Sequence, residues 1–409
     1  MNNMQGYRGT RDFLPKEWKI QKWLFANLRE ISNQYGFEEY EAPIIEKLEL
    51  FTKKSGDEIK KQLFNFKDKS GRELCLRAEL TPQLARYIVQ YGKGLKKPLK
   101  WYSIPRLFRY ERPQKGRYRE FFQYNADIID SNLKGTAEII NLCIDILNNL
   151  GLKSKDFVMK INDREVVDKL IKKYKVKTEE FYSLLDKKYK MSEKEFFKEL
   201  DKISKSKELK KILKLKDKEC LAEIKKNGIN TERMEELFKL CDEEFIEFDL
   251  SIVRGLAYYT GIVFEAYDKK GYFRSLLGGG EYDNLISDFG GPKIPCVGVG
   301  ISDGTLPLLL KKKKLLPTEF KNYLFIATIG EVYEKAGEIA KELRAKRLNV
   351  YLNTSDLNIS KQLELADSLN YQKVLIIGER DLKKGEVTLK DLETGKEKKV
   401  KPQELTEIL

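Results

Sequence analysis

The residues best suited to chemistry lie in one arginine-rich stretch of the chain. Arg109 and Arg117 flank a loop that contains proline and glycine, with Glu111 between them and Gln123 and Asp127 further along. Guanidinium groups pair with phosphate oxygens in a forked geometry, and a carboxylate can hold Mg²⁺. The stretch therefore suits a nucleoside triphosphate, although the spacing alone fits a solvated hairpin with exposed ion pairs about as well.

The second half of this stretch predicts a β-strand with one apolar and one polar face, because successive side chains of a strand point to opposite sides. The apolar set, interrupted at Glu120, is Tyr118, Phe122, Tyr124, Ala126 and Ile128. The polar set is Arg117, Arg119, Gln123, Asn125 and Asp127. We expect the first face to pack into the core and the second to line a site.

The absence of histidine from all 409 residues narrows the chemistry. It excludes Ser-His-Asp and Cys-His catalysis, histidine metal sites and imidazole pH switches. The five cysteines are scattered and form no CxxC pair, so we expect buried thiols and a reducing, cytoplasmic environment. Any reaction must therefore rely on carboxylates, arginines, tyrosines, amides and Mg²⁺.

The charge balance points to a polyanionic partner. Lysine and arginine (78) exceed aspartate and glutamate (64) by 14, and such an excess binds phosphates through counterion release. A Lys-rich proteome or a heat-adapted surface explains the same excess equally well. The chain starts without a secretory signal and has no apolar run of membrane-spanning length, so we expect no membrane association.

The elements that must position these residues divide the chain into four parts. Apolar residues at helical spacing predict a helix over 15–35, and Pro43 predicts an edge or interface strand after it. The expected parts are 1–152 and 246–315, two portions of one catalytic domain; 153–245, a Lys/Glu-rich helical insertion; and 320–409, a separate domain. The second catalytic portion is expected to contain strands and glycine-rich turns, including Gly278–Gly280 and Gly298–Gly300.

The last part shows strand and helix patterns in alternation. We predict strands at 323–329, 348–353 and 373–377, helices at 331–347 and 358–370, and a hairpin turning at Thr394-Gly395. This βαβαβ order implies a small α/β domain with a mostly parallel sheet.

Five stretches resemble motifs of the class II histidyl-tRNA synthetase family, in the family's order. Phe108–Gln123 resembles motif 2, Arg8–Pro15 the N-terminal signature, and Leu76–Thr81 the "LRPE-x-T" loop. Val253–Thr260 resembles the histidine-specific "VRGLDYY" motif, and Gly278–Asp283 resembles "GGRYD". The resemblance implies an α+β catalytic domain with an antiparallel sheet flanked by helices, a helical insertion, and a C-terminal α/β anticodon-binding domain.

The resemblance also implies the substrates and a role for each matching residue. The substrates would be ATP, L-histidine and tRNA(His), with Mg²⁺ bound through ATP and Glu111 as its candidate protein ligand. Histidine would be held by Glu79, Thr81, Gln123, Asp127, Arg254, Tyr258, Tyr259 and Tyr282. ATP would be held by Arg109, Glu111 and Arg117, with Arg109 and Arg254 as the catalytic cations. Arg112 and Gln114 would sense the tRNA acceptor end, and residues 15–50 would form a homodimer interface.

Three positions depart from the family pattern. Ala257 replaces the aspartate of "RGLDYY", Glu281 replaces the arginine of "GGRYD", and Thr305 stands where the motif 3 arginine is expected. The charge reversal and the missing cation would weaken ATP binding unless a relocated arginine, such as Arg274, takes over. We favour relocation because motif 2 is complete.

Two other functions fit parts of the pattern. A synthetase-like regulatory subunit of ATP phosphoribosyltransferase would explain the altered motif 3, but such subunits typically lack the C-terminal domain. A threonyl or prolyl class II synthetase would share that domain, but Asp127 and the stretch Arg254–Tyr259 argue for histidine.

Overall fold

The computed structural model describes residues 4–52, 61–253, 258–318, 320 and 322–409. The chain forms two compact units, Met1–Leu316 and Pro317–Leu409. No helix within the described ranges is both long and apolar enough to span a bilayer.

The first unit contains twelve strands and twelve α-helices among its described residues. The strands are β1 (Glu38–Glu39), β2 (Ile45–Lys47), β3 (Asn65–Lys67), β4 (Glu73–Leu76), β5 (Leu99–Ser103), β6 (Arg106–Phe108), β7 (Glu120–Ile129), β8 (Phe157–Asp163), β9 (Ile246–Phe248), β10 (Ile262–Asp268), β11 (Leu277–Glu281) and β12 (Cys296–Ser302). The helices are α1 (Pro15–Gln34), α2 (Leu48–Thr52), α3 (Thr81–Tyr91), α4 (Leu133–Asn149), α5 (Arg164–Tyr174), α6 (Thr178–Lys187), α7 (Glu193–Ile203), α8 (Lys207–Lys214), α9 (Asp217–Lys226), α10 (Glu232–Leu240), α11 (Leu285–Asp288) and α12 (Leu306–Lys312).

A nine-stranded sheet organises this unit. Its strands lie in the order β1-β5-β7-β12-β11-β10-β8-β9, and β6 pairs with β7 outside that path. Every pairing from β5 to β8 is antiparallel, while the edge strands β1 and β9 pair in parallel. The antiparallel catalytic sheet expected from the motifs is therefore confirmed.

Strand β7 lies inside this sheet, between β5 and β12, and has the two faces predicted for it. Tyr124, Ala126 and Ile128 belong to the main apolar core, which also includes residues of α1 and α4. Asn125 and Asp127 are buried on the opposite face. The strand begins at Glu120 rather than at Arg117, because residues 114–117 close a tight turn in which the backbones of Gln114 and Arg117 bond to each other.

The segment after Pro43 forms an edge strand, as predicted. Strand β2 is the outer member of a three-stranded sheet in the order β2-β4-β3. Arg77, which follows β4, is 2% exposed and donates from Nε to the carbonyl of Arg106 and from Nη1 to Glu41. This buried guanidinium ties the small sheet to the start of the motif 2 region.

The helical character predicted for 153–245 is found between Arg164 and Leu240, where α5 to α10 follow one another. Residues Phe157–Asp163, however, form strand β8 and pair with β10, so their assignment to a helical segment was wrong. A strand buried on both faces does not alternate between apolar and polar residues. Strand β8 is buried in this way, so its sequence lacks the period of two that would have indicated a strand.

Two glycine clusters predicted as turns lie instead within strands. Gly278–Gly280 is part of β11 and Gly298–Gly300 is part of β12, so that prediction was wrong. Gly298 is paired with Asp127 across the sheet, and a Cβ at Gly298 would overlap the Asp127 carboxylate. Glycine inside a strand commonly marks such a close approach.

The second unit is an α/β domain. Its strands are β13 (Asn322–Ile329), β14 (Val350–Leu352), β15 (Tyr371–Gly378), β16 (Val387–Asp391) and β17 (Glu397–Val400), and its helices are α13 (Tyr333–Ala345), α14 (Ile359–Ser368), α15 (Glu379–Leu382) and α16 (Leu405–Ile408). The strand order is β14-β13-β15-β16-β17. The first three strands are parallel and the last two form the predicted antiparallel hairpin, which confirms the βαβαβ arrangement.

Candidate active site

A cavity of about 1430 Å³ opens on the polar face of β7. Ten of the residues singled out from the sequence line it: Glu79, Thr81, Arg109, Glu111, Arg117, Gln123, Asp127, Tyr258, Tyr259 and Tyr282. Arg112 and Gln114 are exposed on the motif 2 loop outside this lining. Arg254 lies outside the described residues.

The most buried end of the cavity is built around Asp127. Tyr282 donates a hydrogen bond from its hydroxyl to Oδ1 of Asp127 over 2.6 Å, and both residues are 3% exposed. Burial raises the pKa of Asp127 to about 7, and the hydrogen bond from Tyr282 opposes that rise in part. Gly298 leaves the space that this carboxylate occupies. The result is a carboxyl group that ionises near neutral pH at the end of a pocket.

A cluster of tyrosines forms one wall next to Asp127. The Tyr258 ring lies 5.0 Å from Tyr259 and 6.0 Å from Tyr282, measured between ring centroids. The Tyr258 hydroxyl donates to Oε2 of Glu79 over 3.3 Å, and Glu79 is itself 3% exposed. Glu79 stands just before α3, whose first residue is Thr81. The wall therefore combines aromatic faces with a buried carboxylate.

An amide pair lies between this wall and the open end of the cavity. Gln123 donates from Nε2 to Oδ1 of Asn125 over 2.7 Å, and both line the cavity. Gly300 lies opposite Asn125 on β12, and a Cβ there would press on the Gln123 amide. The sequence placed Asn125 on the polar face but gave it no role, because a neutral amide on a strand carries no distinctive signal.

Cations gather at the open end. Arg109 donates from Nε to the carbonyl of Ala78 over 2.9 Å, which aims its guanidinium along the cavity wall beside Phe121. Arg117 donates to Oε2 of Glu111 over 3.1 Å, and its side chain remains 45% exposed. Lys115 lies 5.4 Å from the Phe273 ring centroid. This end is suited to a polyanion that enters from solvent.

The buried carboxylate of Asp303 connects the start of β7 to the N-terminal part of the chain. Asp303 accepts hydrogen bonds from Arg11, over 2.7 Å, and from Gln21, over 3.1 Å. It also accepts the backbone N–H of Phe122 over 3.1 Å. Arg11 belongs to the N-terminal signature, and sequence reasoning gave neither Arg11 nor Asp303 a role. The sequence does show a charged residue, Asp303, between β12 and α12, but its hydrogen-bond partners can be identified only from the fold.

The three departures from the family pattern fall in different places. Ala257 lies outside the described residues. Thr305 lines the cavity, as does Arg274, the arginine predicted to replace the missing cation. Glu281 does not line the cavity: it is 5% exposed and bonds to Arg233 and Thr136 on the other side of β11. Its charge reversal therefore does not act directly on a bound nucleotide.

The comparisons with known proteins agree with this geometry. A family model described as histidyl-tRNA synthetase matches residues 9–303, and one described as anticodon binding domain matches residues 323–409. The chloroplastic/mitochondrial histidine–tRNA ligase of Arabidopsis thaliana is 37% identical over 97% of this chain and 85% of its own length. The histidine–tRNA ligase of Methanocaldococcus jannaschii is 37% identical over 98% of both chains.

The fold comparison gives the same picture. The crystal structure of histidyl-tRNA synthetase from Nostoc sp. PCC 7120 superposes with a TM-score of 0.83 at 24% identity, covering 99% of this chain and 98% of that one. At this identity the likeness concerns the fold, including both units.

Proposed function

The chain belongs to the histidyl-tRNA synthetase family, and from that premise we propose how its cavity carries out the reaction. The protein activates histidine with ATP and transfers it to tRNA(His). The observation that carries our assignment of roles is the buried hydrogen bond between Tyr282 and Asp127 at the end of a cavity that also contains arginines.

Histidine binds with its imidazole at Asp127 and its ammonium group near Glu79. Since Tyr282 already donates to Oδ1 of Asp127, the other carboxylate oxygen is left to accept an N–H of the imidazole. Tyr258 and Tyr259 flank the ring, while Glu79, Thr81 and Gln123 offer acceptors for the ammonium group. A ligand without ring N–H groups would leave one oxygen of the buried Asp127 carboxylate without a hydrogen-bond donor, and that cost supports selection of histidine.

Adenylate formation needs alignment and charge stabilisation rather than a general base. The carboxylate of histidine is already ionised at neutral pH, so it attacks the α-phosphorus of ATP directly and pyrophosphate leaves. We propose that Arg109, which is oriented by its hydrogen bond to Ala78, stabilises the charge on the transferring phosphoryl group, and that Arg117 and Glu111 serve the outer phosphates. Arg254 is proposed as the second catalytic cation from its place in the family motif.

Mg²⁺ is proposed to arrive with ATP. Among the described residues, no group of three acidic or cysteine side chains forms a ready metal site. Magnesium is usually held by one or two carboxylates together with substrate phosphates, and Glu111 at the phosphate end fits that pattern. When bound, the ion neutralises charge on the phosphate oxygens. Glu111 would then exchange part of its contact with Arg117 for the ion.

Transfer to tRNA uses the hydroxyl of the terminal adenosine, which attacks the activated carbonyl carbon and releases AMP. We propose that Arg112 and Gln114 contact the acceptor end, since both side chains are exposed on the loop beside the cavity. We propose that the second unit binds the anticodon through exposed bases.

We also propose a homodimer through residues 15–50. Ile45, the first residue of the edge strand β2, is 51% exposed, and Ile44 just before it is 46% exposed; such apolar side chains are suited to burial against a second copy. Light scattering should give twice the chain mass of 47.8 kDa; a single-chain mass at micromolar concentration contradicts this proposal.

The alternative functions are less well supported. A regulatory subunit need not retain Arg109, Glu111 and Arg117 in one cavity or an anticodon-binding domain. A synthetase for threonine or proline would have no use for the buried Asp127–Tyr282 pair.

Exchange between ATP and labelled pyrophosphate, measured with each of the twenty amino acids, tests the assignment. We expect exchange with histidine only, and Arg109→Gln should lower kcat by about a hundredfold because it removes charge stabilisation of the phosphoryl group. Arg380→Gln, which changes a cation in the second unit, serves as the control and should exchange normally. No histidine-dependent exchange, or equal exchange with threonine or proline, would reject the assignment.

A further inference from the structure

We propose that Glu281, neutralised by Arg233 of helix α10, is a positioning residue for the histidine site. Its carboxylate fixes the backbone at residues 260–262 and thereby the tyrosines that surround the substrate. This inference deepens the proposed function and rests on it.

The Glu281 carboxylate is fully occupied by protein partners. Its Oε1 accepts the hydroxyl of Thr136 over 2.6 Å, and its Oε2 accepts the backbone N–H of Ile262 over 2.9 Å. Arg233 donates to the same Oε2 over 2.7 Å. Only 7% of the Glu281 side chain is exposed. A carboxylate with three such partners inside the protein holds each of them in a defined place.

The segment next to this carboxylate fits closely around it. A Cβ at Gly261 would overlap Oε2 of Glu281, so only glycine allows the backbone to pass at this distance. Thr260 donates its backbone N–H to the carbonyl of Glu281 over 2.9 Å. The Thr260 hydroxyl donates to Oδ2 of Asp283 over 2.8 Å. Residues 260–262 are therefore bound at several points to residues 281–283.

Each of these bound segments carries part of the tyrosine wall. Tyr258 and Tyr259 precede Thr260 directly, and Tyr282 lies between Glu281 and Asp283. Tyr282, directly after β11, lines the cavity, whereas Glu281, the last residue of β11, does not, so the two side chains point to opposite sides of the chain. A shift of Glu281 would move the segments that bear Tyr258 and Tyr282 relative to each other, and with them the surface that receives the imidazole.

Arg233 compensates the negative charge of the buried Glu281 carboxylate. It bridges Glu281 and Asp163, whose Oδ2 lies 3.5 Å from Nη1, and the side chain of Asp163 is 3% exposed. Removing the guanidinium would leave two buried carboxylates without their shared cation, which is a costly arrangement. Arg233 belongs to the run of helices α5–α10, so a residue outside the substrate-lining strands contributes to histidine binding.

Pyrophosphate exchange by the full-length enzyme, with the KM for histidine and the KM for ATP measured separately, tests the inference. We expect Glu281→Gln and Arg233→Met to raise the KM for histidine by roughly tenfold to a hundredfold, since small displacements of binding groups have effects of that size. The KM for ATP should change by less than about twofold. Arg233→Lys retains a cation and should restore much of the affinity for histidine.

Asp156→Asn provides a matched control for stability. Asp156 has a side chain that is 9% exposed and pairs with Lys313 in the same unit, and neither residue lines the cavity. We expect this variant to lower the melting temperature about as much as Glu281→Gln while leaving both KM values unchanged. If Glu281→Gln and Arg233→Met only lower the melting temperature, as the control does, Glu281 is a structural residue and the inference is wrong.

The experiment separates this inference from the assignment of function. Absence of histidine-dependent exchange by the unchanged enzyme would reject the assignment. Normal exchange by the unchanged enzyme, together with an unaltered KM for histidine in both variants, would reject the positioning role alone.

Discussion

At the buried end of the cavity, Asp127 and Tyr282 are each 3% exposed and already hydrogen-bonded to each other, whereas at the open end the side chain of Arg117 is 45% exposed. The buried end was assembled by folding: strand β7 supplies Asp127, the segment after β11 supplies Tyr282, and glycine in β12 leaves room for the carboxylate. The open end is built mainly from the motif 2 loop and its neighbours, where Arg117 reaches the solvent and its partner Glu111 is 13% exposed.

This contrast matches the role that we propose for each end. An enzyme selects one amino acid through polar groups that lose free energy when a wrong ligand leaves them without a hydrogen-bond partner. That loss is large only where water is excluded. The end proposed to bind the triphosphate needs cations that stay solvated before the substrate arrives. The Arg117 side chain, which is 45% exposed, can leave its pair with the 13% exposed Glu111 at little cost. Substitutions at the buried end should therefore affect histidine selectivity, and substitutions at the open end should affect ATP with little change in stability.

Asp127→Asn should have the largest effect on kcat/KM for histidine, and it tests whether the buried end selects the amino acid. The amide keeps the shape and can still accept from Tyr282, but it presents an N–H₂ group where the imidazole N–H needs an acceptor. We expect kcat/KM for histidine to fall by at least about a thousandfold, with the KM for ATP within about twofold. Steady-state pyrophosphate exchange measures both quantities. A loss below tenfold would mean that Asp127 does not bind the imidazole.

The pH dependence of histidine binding should show the next largest effect. Burial raises the pKa of Asp127 to about 7, and a free imidazole has a pKa of about 6.5, so both groups gain a proton as the pH falls from 8 to 6. The enzyme has no histidine of its own that titrates in this range. If neutral imidazole donates to ionised Asp127, the KM for histidine should rise by roughly tenfold or more between pH 8 and pH 6.

The enzyme's lack of histidine also makes the bound substrate directly observable. In ¹⁵N NMR spectra of labelled histidine bound to unlabelled enzyme, every imidazole signal comes from the substrate. We expect the shifts of a neutral ring at pH 7.5. An imidazolium spectrum, or a KM that is constant from pH 8 to pH 6, would contradict recognition by an ionised Asp127.

Ionisation of Asp127 has opposite effects on histidine binding and on the stability of the free enzyme: it favours binding and lowers the free energy of unfolding. Because the pKa of Asp127 is raised from 3.8 to about 7 on folding, the native state binds more protons than the unfolded state between these values. The contribution of Asp127 to the free energy of unfolding is therefore greatest at low pH and is lost as the pH rises through 7. Asp127→Asn should remove this part of the pH dependence.

The sequence predicted the elements and many of the residues at both ends, but it could not predict how the ends differ. Alternation along β7 separated Tyr124 and Ala126 from Asn125 and Asp127, because period two is a local property of a strand. The close approach of Gly298 to Asp127 joins strands far apart in the chain, so the glycines were taken for turns. For the same reason Asp303 received no role and Glu281 was expected to weaken ATP binding: their partners Arg11 and Arg233 are distant in sequence.

Arg117→Met should have the smallest effect of these substitutions, a rise in the KM for ATP, and it tests whether the open end acts independently of the buried end. The variant keeps the aliphatic length but loses the charge, so we expect the KM for ATP to rise by about tenfold, equivalent to about 1.4 kcal/mol. The melting temperature should change little, because an ion pair that the solvent can reach contributes about 0–1 kcal/mol. The KM for histidine should also stay constant, since Arg117 lies on the loop and Asp127 lies within the sheet. A clear loss of stability, or a parallel rise in the KM for histidine, would show that the two ends are coupled and that the loop is part of the same preorganised site.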